Sequence, residues 1–177
     1  MQSHPARPLI LITNDDGIAS PGLRAAAEAT HALGELLIVA PRTQQTAAGR
    51  SFPVVPWSLE PYPLASRDGS ELEAYAIEGS PAQAVRAGLM LLAARPPDLV
   101  ISGINYGENV GVGVTISGTV GAAIEAAAFG VPALAVSLET AIHHHFTYSE
   151  EVDFSVAGYF TQLLARMMLE LSLPPHT

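Results

Sequence analysis

The 177-residue sequence contains no cysteine, which excludes disulfides, thiolate zinc sites and cysteine nucleophiles and fits a reducing compartment. It also contains no lysine: all eight cationic side chains are arginines. That excludes Schiff-base lysines, P-loop lysines and Ser-Lys dyads. Positive charge is scarce altogether, with 8 Arg against 17 Asp and Glu and a net charge of −9. Such a balance argues against binding to duplex nucleic acid or to anionic membranes, both of which require a basic footprint. No stretch approaches the roughly 18 consecutive apolar residues of a spanning helix. The longest uncharged run, Asn109 to Ile124, is interrupted by four glycines. The N-terminal Met-Gln-Ser-His-Pro-Ala-Arg-Pro has no apolar signal-peptide core, so a cytoplasmic protein is expected.

What is present is the composition of a packed globular chain, 49% hydrophobic and 14% charged, long enough for one domain over residues 1–177. Four short apolar runs, Pro8 to Thr13, Leu36 to Ala40, Asp98 to Ser102 and Pro132 to Leu138, lack polar alternation. They read as strands buried on both faces, as in parallel sheets. Helical signals fall between or after them. Ser20-Pro21 and Ser80-Pro81 each offer an N-cap followed by proline, the first helix running to about Leu33 and the second carrying Val85, Leu89 and Leu92 on one face. A third helix, Gly118 to Phe129, is built almost entirely of small residues. The fourth, Val152 to Leu171, aligns Val152, Val156, Phe160, Leu163, Met167 and Leu171 in one apolar stripe. With no strand after it to extend the sheet, an exposed edge or hydrophobic patch resolved by self-association is expected, a homodimer by default. Between Phe52 and Ile77, four prolines and the Asp68-Gly69 turn suggest an extended excursion containing a β-hairpin. The alternation predicts an α/β fold, a three-layer αβα sandwich.

Three segments can carry chemistry. Thr13-Asn14-Asp15-Asp16-Gly17 follows the first strand and holds two of only five aspartates. Strand carboxyl ends open onto the ligand crevice of such sheets, and a turn at Gly17 would let both carboxylates converge. Paired carboxylates without Cys or neighbouring His suit one hard divalent cation, Mg²⁺ or Mn²⁺. The alternative there is a helix-entry turn in which the aspartates cap the next helix. Ser102 to Thr119 comes next, with six of the fifteen glycines between Gly103 and Gly121. It offers Asn105 as an amide oxygen for a metal and Ser117, Gly118 and Thr119 as a helix start suited to an anion. The alternative there is a plain glycine-rich loop with Ser117 as a cap. Thr119 stands where a P-loop requires lysine. The third segment, Pro41 to Ser51, carries hydroxyls, amides, Arg42 and Arg50, and reads more readily as a solvated loop than as a ligand source. His143-His144-His145 is not expected to hold a metal, since three consecutive imidazoles do not converge on one ion without a special turn.

Taken together, these segments resemble the SurE family of survival-protein nucleotidases. The matching pieces are Leu11-Ile12-Thr13-Asn14-Asp15-Asp16-Gly17-Ile18 with Ser20-Pro21-Gly22, then Val39-Ala40-Pro41 and Gly79-Ser80-Pro81. Pro97 to Ile104 with Asn105, Gly107 and Asn109, Ser117-Gly118-Thr119-Val120 and Pro132 to Ser137 follow in family order. The resemblance implies a Rossmann-like, mainly parallel sheet, dimer or tetramer assembly, and a metal-dependent phosphatase acting on nucleoside monophosphates, 5′ and also 3′. On that reading Asp15, Asp16, Thr46 and Asn105 hold one Mg²⁺ or Mn²⁺. Asn14, Asn109, Ser117, Gly118 and Thr119 cradle the phosphate, and Asp15 or Asp16 is the general base. Where the family has Gln-Ser-Gly, this chain reads Gln45-Thr46-Ala47, which keeps the hydroxyl and loses the glycine. Family members also continue beyond this C-terminus into further strands and an arm used in oligomer contacts. The runners-up are a metal-dependent deacetylase, which would need His ligands beside the aspartates, and a non-catalytic nucleotide-binding module.

Overall fold

The computed structural model describes residues 7–54, 56, 58–145 and 147–171; the N-terminal stretch read for a signal peptide lies largely outside them. The chain forms β1 (Leu9–Thr13), α1 (Pro21–Thr30), β2 (Glu35–Pro41), β3 (Leu59–Pro61), β4 (Leu64–Ala65), β5 (Glu71–Leu72) and β6 (Ala74–Ile77). It continues through α2 (Pro81–Ala87), β7 (Leu99–Tyr106), α3 (Gly118–Ala128), β8 (Ala133–Leu138) and α4 (Ser155–Glu170). A six-stranded sheet runs in the order β3-β6-β2-β1-β7-β8, parallel except for β3, and β4 pairs with β5 as the expected hairpin.

Both faces of the central strands are covered, as continuous apolar runs require. Ile10, Ile12, Ile38 and Ile101 point into a core shared with α1 and α4. Leu11, Val39 and Val100 point the other way, against Val85 of α2 and Ala122 and Ala126 of α3. Two prolines sit at the first helical position behind Ser20 and Ser80, and each serine accepts a backbone N–H from its first turn. Small residues set the closest approaches. A Cβ at Gly22 would strike the carbonyl of Ile104, so α1 lies hard against β7.

Three differences from the expectations have physical causes. β3 and β6 belong to the main sheet, a short proline-bounded pair whose apolar runs are too brief to stand out. β8, expected to be buried on both faces, is the sheet edge and is half-buried along most of its length. The stripe expected on α4 does not face the core. The helix packs through Ala157, Gly158, Thr161 and Ala165, while Val156, Phe160, Leu163 and Met167 are exposed. Small side chains let α4 approach α1, where Gln162 Nε2 donates to the Ala29 carbonyl at 2.9 Å. Phe154, just before it, sits edge-on against Tyr106 with ring centroids 5.1 Å apart.

Chain order reverses at β1. From there the path first builds outward through β2 and later returns to place β7 on β1's other side and β8 beyond it. In open α/β sheets the crevice at the carboxyl ends of two such strands is where ligands bind.

Candidate functional site

The turn leaving β1 is closed by Asn14, whose Nδ2 donates to the Gly17 carbonyl and whose Oδ1 accepts the Gly17 N–H, both at 3.1 Å. Gly17 has φ 105°, and a Cβ there would meet the Tyr148 hydroxyl at 2.8 Å. Consecutive side chains on a strand diverge; this turn brings Asp15 and Asp16 to one cavity with both carboxylates buried. Asp15 Oδ1 accepts from the Thr119 hydroxyl at 2.7 Å. Asp16 Oδ2 accepts the Tyr106 N–H at 3.2 Å, and the Gln44 amide stands 3.4 Å from Oδ1. Burial raises the pKa of Asp15. Burial and the neighbouring Asp15 charge push Asp16 up to about 7. A cation at this position would relieve both effects.

β7 supplies the opposite wall. Asn105 Nδ2 donates to the Gly107 carbonyl at 2.7 Å and to that of Tyr106 at 3.2 Å. This fixes the amide with its oxygen unengaged among the described residues, at the edge of the cavity. Asn109 also lines the cavity and donates to the Ser137 hydroxyl at 2.7 Å. Ser117 caps α3 by accepting the Val120 N–H at 3.1 Å and faces the cavity too. Gly118 lies behind it against Asp15, where a Cβ would stand 2.7 Å from the carboxylate. The α3 N-terminus thereby turns the backbone N–H groups of Gly118 and Thr119, and its positive dipole end, to the Asp15 carboxylate.

The loop after β2 forms the third wall. Gln45 N–H donates to the Asp15 carbonyl at 2.7 Å, which brings Thr46 and Ala47 to the cavity rim. Thr46 is thus one of the residues that line the cavity. Ala47 adopts φ 57°, a left-handed conformation that glycine tolerates without cost. Arg42 and Arg50 turn away from the cavity, Arg42 to Glu60 and Glu78 and Arg50 to Glu125.

The structure therefore brings Asp15, Asp16, Thr46, Asn105, Asn109 and Ser117 together around a cavity of about 220 Å³. It places Asn14, Gly118 and Thr119 just outside the lining, where Asn14 braces the turn and Thr119 holds Asp15. Sequence reading missed Gln44, Tyr148 and His145. Gln44 Nε2 donates to the His145 carbonyl at 2.7 Å, and Tyr148 donates to the Asp16 carbonyl at 2.9 Å. His145 joins the lining alone, its ring packed on Gly107, which at φ 98° leaves the space a side chain would fill. No local signal separates it from His143 and His144.

The donor set fits a hard divalent ion. Two carboxylates, an amide oxygen and a hydroxyl are all oxygen ligands, the preference of Mg²⁺ and Mn²⁺. Among the described residues no group of three or more His, Cys, Asp and Glu could hold a metal, so Asn105, Thr46 and water would complete the shell. The lining holds three carboxylates, from Asp15, Asp16 and Glu108, and no arginine. A phosphate dianion entering it would need a cation to offset that charge.

A sequence model of the family described as survival protein SurE matches residues 10–176. A 5′-nucleotidase SurE of Methanopyrus kandleri is 51% identical over 150 residues, 84% of this chain and 56% of the relative. The 5′-nucleotidase SurE 1 of Thermus thermophilus is 43% identical over 166 residues, 94% of this chain and 62% of the relative. The crystal structure of the SurE protein from Aquifex aeolicus superposes with a TM-score of 0.76 at 31% identity, covering 95% of this chain and 62% of that one. The chain thus spans less than two thirds of the length of each of these relatives. Agreement in sequence and in fold over nearly all of its own length establishes that the chain belongs to the SurE family.

Proposed function

We propose that this chain carries, in one domain, a metal-dependent phosphomonoesterase that hydrolyses nucleoside monophosphates, 5′ esters and also 3′ esters, to nucleoside and phosphate. The observation that carries the reading is the meeting of two buried carboxylates with the N-terminus of α3 in one cavity that lacks arginine. The names of the curated relatives, 5′-nucleotidases, support the nucleotide as substrate.

Asp15, Asp16, Asn105 and Thr46 would hold one Mg²⁺ or Mn²⁺. When bound, the ion supplies Lewis-acid polarisation of the phosphoryl oxygens and lowers the pKa of water. The protein's own groups do the rest. The Ser117 hydroxyl and Asn109 hydrogen-bond the equatorial oxygens, and the positive end of α3 stabilises the charge that spreads over them. Asn14 and Thr119 keep the turn and the Asp15 carboxylate in register for that. One of the two aspartates, Asp15 or Asp16, is the general base that takes the proton of the attacking water. Water forms the new O–P bond, the ester P–O bond breaks, and the nucleoside oxygen leaves with a proton. A cytoplasmic setting is supported by the absence of cysteine, and homodimer or homotetramer assembly by the exposed apolar face of α4.

Phosphate release from a panel of 5′ and 3′ nucleoside monophosphates, with and without Mg²⁺ or Mn²⁺, tests the reading. Metal-dependent release is expected. Nucleotide binding without release would instead identify a non-catalytic module.

A further inference from the structure

Glu125 lies in the middle of α3, eight residues and about 12 Å along the helix from its cap Ser117. None of its side chain is exposed. Oε2 accepts from Arg50 Nε at 2.6 Å, and Oε1 accepts from Arg86 Nε at 2.9 Å. A carboxylate buried this way persists only when it is paired. Its two partners come from different places: Arg86 from α2, beneath the same helix, and Arg50 from the end of the loop that carries Gln44 and Thr46.

The loop's other ties include Arg42, whose N–H donates to the Ile77 carbonyl and whose side chain pairs with Glu60 and Glu78. They also include Gln44, which donates to the His145 carbonyl, and the Ser51 carbonyl, which accepts from the Ser80 hydroxyl at 2.6 Å. From Arg42 to Ser51 it forms only turns and bends. Gln45 N–H ties it to Asp15, and Gly49 N–H donates to the Ile116 carbonyl at 2.9 Å. Beside the second tie, Gly121 of α3 packs so closely on the Gly49 carbonyl that no Cβ would fit. Thr46 and the left-handed Ala47 are strung between these points, and the Arg50–Glu125 pair closes the far end.

We infer that Glu125 is a positioning residue for the cavity: through Arg50 it fixes the Thr46 loop against α3 and so sets the distance between the hydroxyl wall and the carboxylates. Arg86, held by the other oxygen, secures the carboxylate to α2 and lies over the ring of Phe52, 4.1 Å from its centroid, just past the segment that carries Thr46. The link to metal binding rests on the phosphatase reading above; the link to loop order does not.

The two arginines separate positioning from mere stability, because either variant leaves Glu125 with one partner. Arg50→Met and Arg86→Met would be compared in the full chain. The readouts are amide hydrogen exchange over residues 43–49 in metal-free protein, and Mn²⁺ binding followed by the EPR signal of the free ion. In Arg50→Met, exchange in the loop rises about tenfold and the Mn²⁺ Kd rises roughly tenfold, the scale of losing a group that orients a ligand. Arg86→Met stays within about twofold of the parent in both while its Tm falls comparably, and Arg50→Lys recovers part of the loss. Equal behaviour of the two Met variants overturns the inference, as does faster exchange in Arg50→Met with unchanged Mn²⁺ binding. A parent protein that binds Mn²⁺ yet releases no phosphate defeats the nucleotidase reading and leaves this comparison intact.

Discussion

The carboxyl end of β1 and the outer face of α4 depart from the usual partition of polar and apolar groups in opposite directions. At β1, Asp15 and Asp16 are buried, and each is met by specific donors, Thr119 for one and Tyr106 for the other. On α4, Val156, Tyr159, Phe160 and Met167 are between 48% and 63% exposed, while the helix packs inward through alanine, glycine and threonine. Buried charge of this kind is costly and marks chemistry. Contiguous exposed apolar surface costs little to the monomer and marks contact with something else. The two regions answer differently to substitution.

The largest effect is expected at the carboxylates. Asp15→Asn or Asp16→Asn should lower phosphate release by more than about 100-fold, beyond the usual effect of a group that only orients a ligand. The metal-free fold should survive, since Asn keeps the shape and removes a buried charge. Turnover and thermal melts on both variants check this, and full activity in either would remove the aspartates from the site.

A second effect follows from Asp16, whose pKa of about 7 in the fold lies above its ordinary 3.8. Between those values the folded protein binds more protons than the unfolded chain. The stability this group contributes is therefore greatest at low pH and is lost as pH rises through about 7. Denaturant melts in EDTA should show lower stability at pH 8 than at pH 6, and Mn²⁺ should flatten the difference. Asp16→Asn should flatten it without metal.

On α4 the changes should be invisible to the fold and visible to association. Phe160→Glu with Leu163→Glu should alter stability by roughly 0.5 kcal/mol or less per site, as exposed positions do. Light scattering should show the parent above 18.5 kDa and the variant shifted toward it. A parent that is already monomeric would show that the exposed face needs no cover.

A small effect on stability alone is expected back at the site. Ala47→Gly relieves a left-handed conformation, worth roughly 1–2 kcal/mol. Greater freedom of glycine in the unfolded chain offsets about half of that. A net gain of about 0.5–1 kcal/mol in a denaturant melt is expected, and a loss would mean that the alanine methyl makes contacts worth more than the strain.

Much of this was legible in the sequence. The four apolar runs became four strands, because unbroken Ile, Leu and Val segments of that length leave few alternatives once both faces must be covered. Ser20-Pro21 and Ser80-Pro81 start helices because cap and proline act on the nearest turn. Asp15 with Asp16, and Asn105 with Ser117, were identifiable because strand ends and helix starts are local features.

Contacts across the chain were not legible. His145 reaches the cavity by packing on Gly107, and Arg50 finds Glu125 seventy-five residues away. Neither pairing leaves a mark in local pattern. The direction α4 faces was likewise open, because its large side chains form a periodic stripe and its small ones form another. Local sequence determined four of the strands, the helix starts at Ser20-Pro21 and Ser80-Pro81, and that two carboxylates leave the first strand. Tertiary structure alone decided which face of α4 is buried and which partners hold those carboxylates, since close packing of small residues and pairing of buried charge depend on groups that meet only when the chain is folded.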